Sequence, residues 1–278
     1  MPELPEVEVI RGELEDFRKS FLKPLRITEV RSIFNDQEFT PLIGLEWKAI
    51  FRRGKRLFFA FEKNYYLLVH LRLNGNIFIA RGVTLYDYPP FFLRFFIFFL
   101  KFKNDYALSI TDSRKFAQAR LVKSQRSLLD LKEWRDIGVD FLSDIVTPAW
   151  LFQIFQQEKK RVIKVVLLDQ SKFSGVGNIY ACEILFKSRI SPLCLARELS
   201  FSEVEAIVNF GKKIILKAIN KKGTSIFSFR NPSGTLGGYQ RELFVYARNN
   251  KPCRCCGNYI KRLKQAGRFT YYCSFCQT

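Results

Sequence analysis

The chain opens on a helical rhythm. Val7, Ile10, Leu14 and Phe17 fall at i, i+3, i+7 and i+10, one apolar stripe that predicts a helix from Pro5 to about Lys19. Pro5 suits the first helical position, and Glu6 and Glu8 complement the positive end of the helix. The pattern then changes to short runs of β-branched and aromatic residues: RITEVRSIF, WKAIFRRG, RLFFAFE, YYLLVHLRL, NIFIAR, FFIFFLKF and YALSITD. Turn pairs such as KN, NG and ND separate several of them, so a β-sandwich or barrel is expected.

One run, FFLRFFIFFLKF (Phe91–Phe102), is membrane-like at first sight. Arg94 and Lys101 leave only six uninterrupted apolar residues between them, whereas a spanning helix needs about 20. The run reads as a strand buried on both faces, or as one side of a sandwich core.

Around Asp144–Pro148 the texture becomes helical. TPAWLFQIFQQ, KKRVIKVVLLD, GVGNIYACEILFKSR and FSEVEAIVNFGKKIILKAI follow in turn, and Ser202 with Glu205 has capping-box spacing. Between Gly223 and Gly238 the Gly/Ser/Asn/Pro-rich stretch GTSIFSFRNPSGTLGG is long enough to be a functional loop.

Composition narrows the classes. With 278 residues, 47% of them hydrophobic and 26% charged, the chain is globular and large enough for two or three domains. It carries 46 Lys+Arg against 26 Asp+Glu, a formal net charge of +20. Such an excess implies a polyanionic partner, nucleic acid or an acidic membrane surface. The acidic, proline-containing start is not a secretory signal. Seven cysteines in a cytosol-like chain point to metal ligation or free thiols before disulfides.

The cysteines give the sharpest local signal. Cys253-x2-Cys256, sixteen residues, then Cys273-x2-Cys276 is the spacing of a tetrahedral four-cysteine zinc site. With sulfur in all four positions such a zinc has no open site for water and is structural. It would hold a β-hairpin with strands through NYIKR and GRFTYY, presenting Arg268 for phosphate contact. Cys255 is a bystander. In DQSKFSGVGNIYACE, small residues before Asn178 leave helix N-terminal N–H groups open to a phosphate, although such a turn is commonly only a turn. Lys159, Lys160, Arg161 and Lys164 just upstream strengthen the reading as a DNA clamp. The opening MPELPEVE remains ambiguous at this level. Removal of Met1 would expose the secondary amine of Pro2 beside Glu3 and Glu6, an arrangement that is either helix capping or a reactive centre.

MPELPEVE, RRGKRL, HLRLNG, DSRKF, DQSKFSGVGNIYACEILF, GGYQRELFVYAR and PCRCCG…GRFTYYCSFCQ, in this order and across the whole chain, resemble the bacterial formamidopyrimidine-DNA glycosylases. PELPEVE favours this branch over the endonuclease VIII type, which usually begins Pro-Glu-Gly-Pro. The resemblance implies an α+β multidomain fold in three parts. Residues 1–145 would be a catalytic β-sandwich with a leading helix, and residues 146–236 a helix–two-turn–helix DNA-binding domain with a lesion-capping loop. Residues 237–278 would form the zinc hairpin.

It also implies a monomeric, cytoplasmic enzyme of base excision repair, acting on double-stranded DNA that carries an oxidised base or an abasic site. Such an enzyme excises oxidised purines (8-oxoguanine, formamidopyrimidines) and nicks the strand by β,δ-elimination. By this analogy Pro2 attacks the sugar C1′ and forms a Schiff base. An α-amine has a pKa of about 8 against about 10.4 for lysine, so a usable fraction is neutral near pH 7. Glu3 is the matching general acid, and Glu6 orders the segment by hydrogen bonding. Lys55 matches a phosphate-binding lysine that takes part in elimination, and Arg268 the hairpin arginine. His70, the one histidine, sits where the family's histidine approaches a phosphate. Leu73, Arg114 and Phe116 stand where the family fills the gap left by a flipped base. Thr224, Ser225 and Tyr239 lie around the loop that closes over that base.

Several positions depart from the family pattern. Arg72 replaces a usual glycine, IGVDFL (137–142) replaces LGPEPL, phenylalanines fill the stretch near 90–97, and KGTS (222–225) stands for GGTT. They bear on base preference and DNA geometry. Two rivals follow: an endonuclease VIII-like preference for oxidised pyrimidines, and a DNA-binding protein that kept the fold without turnover.

Overall fold

The computed structural model describes residues 1–83 and 93–278. They form two compact units, residues 1–136 with 221–238 and residues 137–220 with 239–278.

The first unit begins with the helix Leu4–Lys19, one residue earlier than the apolar stripe predicts, so Pro5 lies in its first turn after the N-cap Glu3. Behind it stand two four-stranded antiparallel sheets. One has the order β1 (Ile27–Ser32), β6 (Phe96–Phe102), β7 (Tyr106–Thr111), β5 (Asn76–Arg81). The other has the order β2 (Trp47–Arg53), β3 (Arg56–Phe61), β4 (Tyr66–His70), β8 (Gln118–Val122). The result is a sandwich rather than a barrel. Ile10 and Leu14 of the helix join Trp47, Phe59, Phe98, Leu100 and Phe102 in its core.

The phenylalanine run behaves as a strand buried on both sides, because Ile97, Phe98, Phe99 and Leu100 of β6 are fully buried. Phe91 and Phe92 of that run lie outside the described residues. The β2–β3–β4–β8 sheet also buries its second face. Phe58, Leu68, Val122, Leu128 and Leu131 make a smaller core there, and Trp134 packs edge-on against Phe51 and Phe58.

Residues 221–238 belong to the first unit, whereas the sequence boundary at 236 keeps most of them with the helices. The reason lies in their contacts. Phe229 is part of the sandwich core, and the backbone N–H of Arg230 donates to Asn76 Oδ1 at 2.8 Å. The N–H of Ile79 in β5 donates to the Pro232 carbonyl at 3.1 Å, so the loop extends the edge of that sheet.

In the second unit the helices are Pro148–Gln156, Ile163–Leu167, Asn178–Lys187 and Phe201–Asn220. Two expectations need correction. KKRVIKVVLLD forms only the short helix Ile163–Leu167, because the residues before it pair with another segment: Val162 bridges Leu195, and Ala196 N–H donates to the Arg161 carbonyl at 3.0 Å. The capping box of the last helix is Ser200 with Glu203, not Ser202 with Glu205. Ser200 N–H donates to Glu203 Oε2 at 2.8 Å, and Glu203 N–H donates back to Ser200 Oγ at 3.3 Å. Short parallel strands β9 (Val139–Asp140) and β10 (Phe173–Ser174) pair within this unit. The terminal hairpin is β11 (Lys261–Gln265) with β12 (Arg268–Tyr272). It starts later than NYIKR suggests, because residues 253–258 turn back on themselves through Cys253 N–H to Asn258 O at 2.7 Å and Gly257 N–H to Cys253 O at 3.0 Å. No helix among the described residues is long and apolar enough to cross a membrane.

Candidate active site

The first residues of the chain are held far more tightly than a terminus usually is. Pro2, Glu3 and Glu6 are all buried, Glu3 and Glu6 to within 3% and 1% exposure. Glu3 and Glu6 form a reciprocal capping box in which Glu3 N–H donates to Glu6 Oε2 at 2.9 Å. The second oxygen of Glu6 is used elsewhere: Thr224 N–H donates to Oε1 at 2.8 Å. Glu6 therefore ties the start of the chain to the loop 221–238. Gly223 makes this approach possible. Its φ of +83° suits glycine, and a Cβ there would meet Phe229 at 2.9 Å and Glu6 Cγ at 3.1 Å.

Lys55 sits in the β2–β3 turn and is 7% exposed, unusual for a lysine. Nearby, Arg52 donates through Nε to Glu8 Oε2 at 2.8 Å, and Glu8 also accepts from Arg11. Burial raises the Glu8 pKa, but the two arginines outweigh it and hold the carboxyl below its ordinary value. This pair joins the helix Leu4–Lys19 to β2 and places the turn relative to the N-terminus.

Two loops carry the expected gap-filling residues. Leu73 is exposed at the tip of the turn 71–75, where Gly75 N–H donates to the Leu71 carbonyl at 3.0 Å. Gly75 is required there, since a Cβ would collide with the Leu71 backbone oxygen. Arg114 and Phe116 lie on the loop after β7. The Arg114 guanidinium stacks on the Phe116 ring at 4.7 Å, and Phe116 is 49% exposed. Asn74 Nδ2 donates to Ser113 Oγ at 3.2 Å and joins the two loops.

Sequence reasoning passed over Asp112. This buried side chain accepts from Arg114 N–H at 2.9 Å, Phe116 N–H at 2.9 Å and Ala117 N–H at 2.8 Å. It fixes the loop that presents the stacked pair. An aspartate opening a polar loop is an Asx-turn signal, so the clue was legible.

His70 ends β4. Burial, with the charges of Arg72, Arg56 and Lys55 adding to it, pulls the pKa of His70 down to about 3. The imidazole is neutral near pH 7, and its Nδ1 is buried without a hydrogen-bond partner among the described residues.

Thr224 is buried and Ser225 half-buried. Ser225 Oγ donates to the Phe229 carbonyl and accepts from Gly237 N–H, both at 2.8 Å. These bonds pin the two ends of the loop, while Phe227 between them is 73% exposed.

The second unit holds the remaining expected residues. Asn178 begins the helix Asn178–Lys187 and donates from Nδ2 to the Phe269 carbonyl at 2.9 Å, next to Arg268. Gln170 shapes the glycine turn before that helix, accepting from Gly175 N–H at 3.0 Å and donating to the Val176 carbonyl at 2.8 Å. Arg268 is exposed at the start of β12 and Lys159 is also exposed. Lys164 differs from the expectation. It is fully buried on the inner side of its short helix, so it does not share a surface clamp with Lys159. Tyr239 is buried too, with its ring 6.1 Å from that of Tyr180, and burial pushes its pKa up.

Glu183 was also missed. It is fully buried and accepts from the N–H groups of Phe244, Val245 and Tyr246 at 2.8, 2.9 and 2.9 Å. Burial raises its pKa against the opposing effect of those bonds. A single carboxylate inside the apolar run NIYACEILF was the available clue.

The four sulfurs of Cys253, Cys256, Cys273 and Cys276 lie within 4.8 Å of one another. Cys253–Cys276 and Cys256–Cys273 are separated by 3.9 and 3.5 Å. Zn–S bonds of about 2.3 Å in a tetrahedron put sulfurs about 3.8 Å apart, so the set fits a structural zinc. Cys255 is exposed and outside the cluster.

Comparisons with known proteins agree with this layout. Residues 1–119 match the family model described as formamidopyrimidine-DNA glycosylase N-terminal domain. Residues 137–229 match the H2TH domain of the same glycosylases, and residues 250–278 a zinc finger found in FPG and IleRS. The chain is 34% identical to a formamidopyrimidine-DNA glycosylase of Ureaplasma parvum, with 100% of both chains covered. It is 35% identical to one from Pelotomaculum thermopropionicum, covering 100% of this chain and 99% of that one. A solved complex of Lactococcus lactis Fpg with DNA containing an abasic site is 30% identical, with a TM-score of 0.86 over 99% of each chain. A complex of MutM with DNA containing carbocyclic 8-oxo-G is 31% identical, with a TM-score of 0.86 over 99% of each chain.

Proposed function

Since the chain belongs to the formamidopyrimidine-DNA glycosylase family, DNA glycosylases of DNA repair, we propose that it excises oxidised purines from duplex DNA and then nicks the strand. Pro2, exposed by removal of Met1, is the nucleophile. Its neutral nitrogen attacks C1′ of the damaged nucleotide, the C1′–base bond breaks, and the base leaves with the electron pair and takes up a proton. Glu3 supplies a proton to the ring oxygen as the sugar opens. The resulting iminium stays cationic because the amine is secondary. It withdraws electrons from C2′, so loss of a C2′ proton expels the 3′ phosphate, and a second elimination expels the 5′ phosphate. Lys55 and Arg268 bind those phosphates and assist the eliminations.

The observation that carries this reading is the N-terminal lock. The start of the chain is buried with two hydrogen-bonded glutamates, one of them tied to the loop 221–238, and so is held in one place, as a reactive amine requires. The helix that begins at Leu4 points its positive end toward Pro2 and disfavours the protonated amine.

In this account Leu73, Phe116 and Arg114 fill the gap left by the extruded nucleotide, with Arg114 addressing the partner base. Lys159, Asn178 and His70 contact the DNA backbone, and Thr224 and Ser225 hold the loop that covers the lesion. Tyr239, buried beside Tyr180, supports the second unit through packing. One zinc on the four cysteines holds β11 and β12 so that Arg268 keeps its place. The enzyme works as a monomer on the DNA of a bacterial cytoplasm. The rival reading prefers oxidised pyrimidines; the start PELPEVE favours purines. Incubation with duplexes that each carry one lesion tests it. Faster release of 8-oxoguanine and formamidopyrimidines than of oxidised pyrimidines is expected, and the reverse order would replace this reading with its rival.

A further inference from the structure

At one end of the sheet β3 begins with Arg56, β4 ends with His70 and β8 begins with Gln118. A cavity of about 270 Å³ opens there, lined by three guanidinium groups (Arg56, Arg72, Arg120), the His70 ring, the Gln118 amide and one carboxylate, Glu133. The charges do not balance. Glu133 reaches Arg120 at 3.6 Å, and Arg72 donates from Nη2 to the neutral Gln118 Oε1 at 2.8 Å. Arg56 is half-buried, with Glu133 as its opposing charge and Arg72 as a like one. Three guanidinium groups around one small cavity repel one another; Arg72 and Arg120 are exposed and water screens them, whereas Arg56 is half-buried and is screened least. The His70 ring in the same wall adds a buried nitrogen without a partner among the described residues.

We propose that Arg56, Arg72 and Arg120, none of them assigned a role above, hold a backbone phosphate of the DNA in this cavity beside His70. Planar guanidinium groups suit the tetrahedral oxygens of a phosphate and bind it through paired N–H donors. The neighbouring residues favour a DNA phosphate over a small free anion: Arg56 follows Lys55 directly, and Arg72 precedes the exposed Leu73. Arg72 is also bonded to Gln118 on the neighbouring strand. It is thereby drawn into the cavity wall, and its task is backbone binding rather than reading a base. The proposal rests on the reading of the protein as an enzyme of damaged DNA.

The test uses the full zinc-loaded protein and a duplex with one uncleavable abasic analogue. The slope of log affinity against log salt is measured for the wild type, Arg72→Gln, Arg120→Gln and the control Lys23→Gln on an exposed surface. Each arginine variant should flatten the slope by a measurable part of the about 0.9 that one phosphate neutralisation contributes, and the control by much less. Arg120 is 55% exposed, so its variant keeps the fold. Replacing the backbone phosphates one at a time with neutral methylphosphonates then locates the partner. One linkage should weaken wild-type binding at least tenfold and Arg72→Gln clearly less, since only Arg56 and Arg120 still hold that phosphate in the variant. Parallel profiles for wild type and variants at every linkage, or arginine slopes equal to the control, would overturn the proposal. If the wild type itself shows no salt-dependent binding to the duplex, the underlying DNA reading fails instead, and the cavity assignment falls with it.

Discussion

Glu6 and Thr224 are joined by a 2.8 Å hydrogen bond from the Thr224 backbone N–H to Oε1, while Oε2 of the same carboxylate accepts from Glu3. One buried side chain thus fixes both the start of the chain and the loop 221–238. Glu6→Gln keeps the shape but offers one acceptor oxygen where two are used. The amide NH2 would face a backbone N–H, and leaving a buried group unpaired costs about 1–3 kcal/mol. We expect a lower thermal midpoint of the first unit and slower excision, with zinc content unchanged. Unaltered excision kinetics in Glu6→Gln would show that the lock has no bearing on turnover.

A second prediction concerns pH. His70 has a folded-state pKa of about 3 against an ordinary value of 6.5, so between these values the unfolded chain binds a proton that the folded chain refuses. Stability from this residue is full above about pH 6.5 and falls as the pH drops toward 3, by up to about 1.4 kcal/mol per pH unit. Comparing urea unfolding of wild type and His70→Gln between pH 7 and 5 isolates the effect. The wild type should lose stability faster than the variant over that range; parallel curves would show that His70 is not held neutral.

Much of this was legible in the sequence, and the failures have physical causes. The cysteine spacing and the stripe Val7, Ile10, Leu14, Phe17 carried their structures almost unaided, because each rests on a local geometric requirement. β8 escaped because Arg120 interrupts a short run, and it becomes a strand only through its pairing with β4. Ser200 and Ser202 both stand three residues before a glutamate, so spacing alone could not choose between them. Lys164 looks like its exposed neighbours until a tertiary contact fixes which side of a five-residue helix faces inward. Residues 221–238 follow a helix in sequence, yet Phe229 sends them to the sandwich core. At the site, the residues proposed to act directly were visible in motifs. Asp112 and Glu183 stood inside the motifs DSRKF and DQSKFSGVGNIYACEILF, but their role, accepting backbone N–H bonds, shows only once the chain is folded.

The metal cluster gives a third prediction. Cys273→Ser should lower zinc from one per chain to none and abolish tight DNA binding, while the first unit retains its β-rich circular dichroism. The cluster shares its small core with Cys182, Phe186 and Val245, so disruption should spread to the base of the helix Asn178–Lys187 and no further. Zinc-free wild-type protein that still binds lesion DNA tightly would contradict this role.

Recognition of the opposite strand gives a fourth. Arg114, stacked on Phe116, can donate to the two acceptors on the Watson–Crick edge of cytosine but to only one on adenine. Arg114→Ala should erode the preference for cytosine opposite the lesion by roughly tenfold, within the ~1–3 kcal/mol of one good base contact. Asp112→Asn should reproduce part of that loss, because it removes one of the two acceptor oxygens that hold the loop. Leu73→Ala should slow both substrates about equally. An unchanged cytosine-to-adenine ratio in Arg114→Ala would place discrimination elsewhere.

The central claim is that the amine of Pro2 carries out the chemistry. Borohydride reduction during turnover on a lesion-containing duplex, followed by peptide mapping of the trapped complex, tests it most directly. The account predicts one covalent adduct per chain, on the processed N-terminal Pro2. An adduct on Lys55, or undiminished strand cleavage by protein that retains Met1, would contradict it.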